Sequence, residues 1–190
     1  MIGLFGGSFD PIHHGHLLAA QSALESLELE ELWFVPAYEQ PFKRGSHHAA
    51  PALRARMVTL AIAGVAQFRL ETCELDRGGP SYTVDTLRTL KARDPGKNFA
   101  ILVGADALRD FPAWREASEI PKLAQVVAFA RPGSDLLQVP GVSRTITVPR
   151  IDISATEIRR RVASGLPIRY WVPDAVERCI VAEGLYLTNA

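Results

Sequence analysis

A short apolar run, Ile2 to Phe5, breaks at Gly6-Gly7, and from Gly15 an apolar stripe at helical spacing begins: His16, Leu17, Ala19, Ala20, Ala23, Leu24 and Leu27. This strand, glycine turn and helix constrain the chain more than any other feature. A strand with no polar alternation is buried on both faces, as central parallel strands are. The rest of the chain repeats the unit. Leu32 to Val35 reads as a second strand stopped by Pro36, and residues 37–51 as an irregular stretch broken by Pro41, Gly45 and Pro51. Ala52 to Val65 reads as a helix with Leu53, Met57, Leu60 and Ala61 on one face. Phe68 to Cys73 is a third strand, and Ser81 opens a helix carrying Val84, Leu87 and Leu90. Phe99 to Val103 and Gln125 to Ala130 are further buried strands, the latter closed by Arg131-Pro132-Gly133. Residues 133–143 read as a loop and Thr145 to Val148 as a last strand, with helices near 154–164 and 173–183. Strands alternating with helices predict an α/β fold: a single doubly wound, Rossmann-like parallel sheet with C-terminal helices, in one domain spanning 1–190.

Charge narrows the partners. Lys plus Arg and Asp plus Glu each number 21, so the formal net charge is zero. No global field draws such a chain to nucleic acid or to a membrane, and phosphate recognition has to come from local clusters. Cys73 and Cys179 form no CxxC pair, and no apolar run reaches the roughly 20 residues of a membrane helix. The start of the chain reads as a core strand rather than a signal peptide. A soluble, cytoplasmic protein is expected, with homo-oligomerisation left open.

The segment Gly6-Gly7-Ser8-Phe9-Asp10-Pro11-Ile12-His13-His14-Gly15-His16 follows the first strand, where ligands bind in open α/β sheets. Adjacent glycines let backbone amides approach a phosphate, and the helix start aims free N–H groups at the same space. His13 and His16, three residues apart around a glycine, fall on one side of that helix start and can donate to phosphate oxygens. There is no GxGxxG spacing, which argues against an ordinary dinucleotide turn. A metal reading of His13, His14 and His16 lacks a Cys or carboxylate partner nearby, so no metal ligand is assigned. Near the other end, Ser154 and Glu157 form a capping box in Ile153-Ser154-Ala155-Thr156-Glu157-Ile158-Arg159. Capping does not explain the arginines. Arg159 lies one turn from Ala155 and Thr156 and can reach an anion at the helix start; Arg160 and Arg161 splay away and read as solvated.

The run GGSFDPIHHGH resembles the signature of the HxGH nucleotidyltransferase superfamily, and Ile153 to Arg159 is similar to its ISxTxIR motif. The resemblance implies that His13, His16 and Arg159 are catalytic, facing the triphosphate of ATP. Gly6, Gly7, Ser8, Phe9, Ser154 and Thr156 would join them in binding ATP. Three middle segments, Ser81 to Leu87 (SYTVDTL), Val103 to Leu108 (VGADAL) and Phe111 to Trp114 (FPAW), resemble the bacterial nicotinate mononucleotide adenylyltransferases, over residues 2 to about 187. On that likeness Trp114 would stack near a pyridine ring, and Tyr82 and Thr83, at a helix start with free amides, would hold its carboxylate. Gly104, Asp106 and Arg131 would lie by the ATP nucleoside. Pro41-Phe42-Lys43 departs from the commoner PPHK form, with Lys43 keeping the substrate-facing cation. The implied reaction joins nicotinate mononucleotide to the AMP of ATP and releases pyrophosphate, with Mg²⁺ carried mainly on the ATP phosphates. Adenylyl transfer to nicotinamide mononucleotide or pantetheine phosphate, or a nucleotide-binding module without chemistry, are the alternatives.

Overall fold

The computed structural model describes residues 1–41, 48–130, 139–149 and 151–187, with Asp106 described by its backbone alone. Among these residues the strands are β1 (Ile2–Gly7), β2 (Glu31–Pro36), β3 (Phe68–Leu70), β4 (Phe99–Gly104), β5 (Gln125–Ala130) and β6 (Arg144–Thr147). They form one sheet in the order β3-β2-β1-β4-β5-β6, every pairing parallel. That is a doubly wound order, and it reverses at β1, which lies between β2 and β4. The expected sheet is present.

The helices are α1 (His14–Ser26), α2 (Pro51–Ile62), α3 (Cys73–Arg77), α4 (Thr83–Arg93), α5 (Ala105–Arg109), α6 (Ile120–Leu123), α7 (Ala155–Ala163) and α8 (Asp174–Ala182), with a 3₁₀ turn at Phe111–Ala113. Side chains alternate across the strands and build two cores. Phe5, Phe34, Leu102 and Phe129 pack on one face with Ala20 and Leu24 of α1, Met57 and Val58 of α2, Ile158 of α7 and Ile180 of α8. Leu4, Trp33, Val35, Ile101 and Val103 pack on the other with Val84, Leu87 and Leu90 of α4, Leu108 of α5 and Ile120 of α6. Both faces are covered, and the ligand-facing edge is left at the strand ends.

Three expectations need correction. The third strand stops at Leu70, because the Glu71 carboxylate accepts the Cys73 N–H at 3.0 Å and α3 begins there. The buried face of α2 is Arg54, Met57, Val58 and Ile62, rotated from the expected Leu53, Met57, Leu60 and Ala61. Ser81 does not cap α4. Tyr82 occupies the cap, and the Ser81 hydroxyl accepts the Tyr38 N–H at 2.9 Å instead.

Candidate active site

The site grows from the end of β1. The chain leaves the sheet at Gly7, rounds Ser8–Ile12, and starts α1 at His14 with His13 in extended conformation as its N-cap. Phe9 adopts φ of 48° and is buried, its ring edge-on to Phe5 at 5.7 Å and to His16 at 5.1 Å. It therefore supports the turn from below and offers a ligand only its backbone.

His13 and His16 lie face to face, ring centroids 3.7 Å apart at 24°. The His13 N–H donates to Nδ1 of His16 at 3.3 Å, which places the hydrogen of a neutral His16 on Nε2. Two imidazoles at this separation, walled by Phe5 and Phe9, cannot both carry charge cheaply. Burial, helped by His14, lowers the pKa of His13 to about 4, and burial followed by the charge of His13 holds His16 well below the usual range. Both rings are thus neutral at pH 7. Nδ1 of His13 is buried and has no hydrogen-bond partner among the described residues. A Cβ at Gly15 would stand 3.0 Å from that nitrogen and 3.1 Å from its neighbour Cε1, so the glycine of HHGH makes room for the His13 ring.

The second motif meets the first. Ser154 caps α7, its hydroxyl accepting the Glu157 N–H at 3.1 Å. Arg159 donates to the Asp10 carbonyl at 2.7 Å and to the Thr156 hydroxyl at 3.3 Å. The carbonyl of Ile153 lies 3.7 Å from where a Gly15 Cβ would be, so the starts of α1 and α7 converge. Ser154 and Thr156 remain exposed. Arg160 is exposed and paired with Glu157 at 2.7 Å. Arg161 is half-buried, donating to the Pro167 carbonyl at 3.0 Å and stacked over Trp171 at 4.8 Å, which corrects the expectation that it is merely solvated.

A cleft of about 1120 Å³ opens at the ends of β1 and β4. Gly6, Gly7, His13 and His16 line one side, and Tyr82, Thr83, Gly104 and Trp114 also line it. A Cβ at Gly6 or at Gly104 would meet nothing within 4 Å. No neighbouring protein atom requires glycine there, and the open space at two adjacent strand ends suits a ligand that comes close to the backbone. Tyr82 carries the Arg115 guanidinium over its ring at 4.9 Å. Its N–H donates to the Pro80 carbonyl at 3.2 Å, which leaves the first-turn donors of α4 to Thr83 and Val84 rather than to the expected Tyr82 and Thr83. Trp114 is half-buried, tilted against Phe111 at 5.2 Å, so it both packs and faces the cleft. Lys43, Arg131 and the side chain of Asp106 lie outside the described residues.

Three polar residues at or beneath the cleft, Asp10, Arg54 and Glu74, carry no local sequence signal of their roles. Asp10 is 3% exposed, and its carboxylate accepts the N–H groups of His48 (2.7 Å) and Ala49 (3.2 Å) and the Tyr186 hydroxyl (2.7 Å). Arg54 is completely buried and donates to the carbonyls of Ser8 (2.7 Å), Tyr38 (3.1 Å) and Ala49 (3.2 Å). Glu74, in the cleft wall, accepts the Thr86 hydroxyl at 2.6 Å, and burial raises its pKa. Among the described residues no group of three or more His, Cys, Asp or Glu stands together as a metal site.

The cytidylyltransferase-like family matches residues 4–161. With the sheet order and the cleft at its switch point, this defines a nucleotidyltransferase of the cytidylyltransferase-like class. A relative from Thermus thermophilus is 50% identical over 186 residues, 97% of this chain and 98% of the relative. One from Roseiflexus sp. is 45% identical over 196 residues, 97% of each chain. Both bear the name probable nicotinate-nucleotide adenylyltransferase. The chain belongs to the nicotinate-nucleotide adenylyltransferase family. Its fold is also that of the solved Plasmodium falciparum nicotinic acid mononucleotide adenylyltransferase complexed with NaAD, with a TM-score of 0.79, 22% identity, and coverage of 99% of this chain and 98% of that one.

Proposed function

We propose that this protein transfers AMP from ATP to nicotinate mononucleotide, forming nicotinate adenine dinucleotide and pyrophosphate in NAD biosynthesis. The observation that carries this reading is the 50% identity, along nearly the whole of both chains, with a relative bearing that activity's name. One sheet with a core on each face supports treating residues 1–190 as a single nucleotidyltransferase domain. Cys73 and Cys179, both buried as free thiols, support a cytoplasmic location. Among the described residues no helix is long and apolar enough to cross a membrane.

In this reading the mononucleotide's phosphate oxygen attacks the α-phosphorus of ATP. A new P–O bond forms as the bond to the pyrophosphate oxygen breaks. The nucleophile is already anionic, so no general base and no covalent enzyme intermediate are needed; alignment and charge stabilisation do the work. The triphosphate lies over Gly6, Gly7, Ser8 and the backbone of Phe9, between the starts of α1 and α7. There Ser154, Thr156 and Arg159 face it from one side, and the hydrogen-bond donors of His13 and His16 from the other. Both histidines are neutral in the free protein and meet the anion as hydrogen-bond donors. The pyridine mononucleotide occupies the Trp114 side, with its carboxylate at the start of α4, beside Tyr82 and on the free amide of Thr83. Lys43 opposes phosphate charge, and Gly104, Asp106 and Arg131 serve the nucleoside of ATP. Mg²⁺, held mainly by the ATP phosphates, neutralises the triphosphate when bound.

Incubation with ATP, Mg²⁺ and nicotinate mononucleotide is expected to release pyrophosphate and form the dinucleotide in equal amounts, with His16→Ala lowering kcat far more than mononucleotide affinity. Pyrophosphate release independent of the mononucleotide would overturn the reading.

A further inference from the structure

A buried carboxylate is tolerated when donors satisfy it, and the three donors of Asp10 among the described residues all come from outside its own loop. The His48 and Ala49 amides precede α2, and the Tyr186 hydroxyl follows α8, 176 positions away. Arg54 lies nearby, the only fully buried charged side chain among the described residues, fastened to the Ser8 carbonyl of the same loop. Arg159 in turn rests on the Asp10 carbonyl. The loop from Gly6 to His16 is thus gripped at Ser8 and at both ends of Asp10, while neither Asp10, Arg54 nor Tyr186 lines the cleft. Strain sits at both ends of the link. Phe9 beside Asp10 has φ of 48° and Tyr186 has φ of 64°, a left-handed region that a bulky aromatic residue adopts only when its surroundings hold it there.

We propose that the Tyr186–Asp10 hydrogen bond is a positioning device by which the C-terminal segment holds the phosphate loop, and with it Arg159 and the histidine pair, in catalytic register. Tyr186 and Asp10 are positioning residues. They touch no reacting atom and act through the backbone they hold. The proposal rests on the reading of Gly6 to His16 and Ser154 to Arg159 as the triphosphate site. Without the Tyr186 hydroxyl, Oδ1 of Asp10 keeps, among the described residues, only the long bond from Ala49, and the loop that carries the Arg159 anchor can drift. The mononucleotide wall is built by α4 and the 3₁₀ turn on the opposite side of the sheet, so its affinity does not depend on the link.

The test is steady-state kinetics of full-length Tyr186→Phe, which keeps the ring in the core, with Asp10→Asn as second variant and His16→Ala as reference. Displacing aligned groups by a fraction of an ångström is expected to lower kcat about 10- to 100-fold in both variants, with the KM for nicotinate mononucleotide unchanged. A kcat equal to wild type, with only the melting temperature reduced, would show a purely structural bond and overturn the proposal. So would a KM that rises while kcat stays, or failure of both variants to fold. If His16→Ala also keeps wild-type kcat, the triphosphate reading itself falls; if it alone loses activity, only the positioning role does.

Discussion

The guanidinium of Arg159 donates to the carbonyl of Asp10 at 2.7 Å, joining two motifs 149 positions apart in sequence. A second donor is committed to the Thr156 hydroxyl, and among the described residues none takes the other donors of the five on the side chain, which suits an anion at the start of α7. Arg159→Lys keeps the charge and loses the fork. It is expected to lower kcat about 10- to 100-fold with little effect on stability, measured at saturating ATP beside a thermal melt. An unchanged kcat would show that the fork is not used in the reaction.

The histidine pair links the site to acid stability. The folded pKa of His13 is lowered from 6.5 to about 4, so between these values the unfolded chain binds more protons than the folded one. Stability should therefore fall as pH drops from about 6.5 to about 4, by about 3 kcal/mol from this residue at most. Urea unfolding of wild type and His13→Gln at neutral and acidic pH separates this contribution from that of the carboxylates. The variant should lose less stability on acidification; parallel losses would contradict the assignment.

Two glycines of the same loop should separate fold from ligand. A Cβ at Gly6 meets no protein atom, so Gly6→Ala is expected to leave the melting temperature unchanged while weakening ATP binding, read by isothermal titration. A Cβ at Gly15 presses on the His13 ring, so Gly15→Ala should lower kcat by shifting that imidazole. Normal ATP affinity in the first variant, or normal kcat in the second, would count against these roles.

How much of this was legible in sequence follows from where the signals lie. Phe99 to Val103 and Gln125 to Ala130 are readable because central parallel strands are apolar on both faces. Helices α3, α5 and α6 span only five, five and four residues, too few turns to show a period. The two motifs proposed to bind phosphate are local, so the sequence displays them. Their mounting is not local: Asp10 meets Tyr186 across 176 positions, and Arg54 sits on the buried face of α2, where hydropathy expects an apolar residue. Ser81 has the side chain of a cap, and only the fold reveals that the Tyr38 amide claims it.

Trp114 faces the cleft while resting on Phe111. Trp114→Ala should raise the KM for nicotinate mononucleotide roughly tenfold through lost ring contact, with kcat nearly preserved. Initial-rate kinetics with the mononucleotide varied at saturating ATP measures this. A fall in kcat with KM unchanged would place Trp114 with the reacting groups or the core instead.

We propose that this site passes AMP to a pyridine mononucleotide bearing a carboxylate, held by the backbone donors at the start of α4. The most direct measurement compares kcat/KM for nicotinate and nicotinamide mononucleotides with ATP and Mg²⁺ present. A pocket whose donors meet an anion should favour the acid by about 100-fold or more. Equal efficiencies for the two mononucleotides would contradict a carboxylate held at the start of α4.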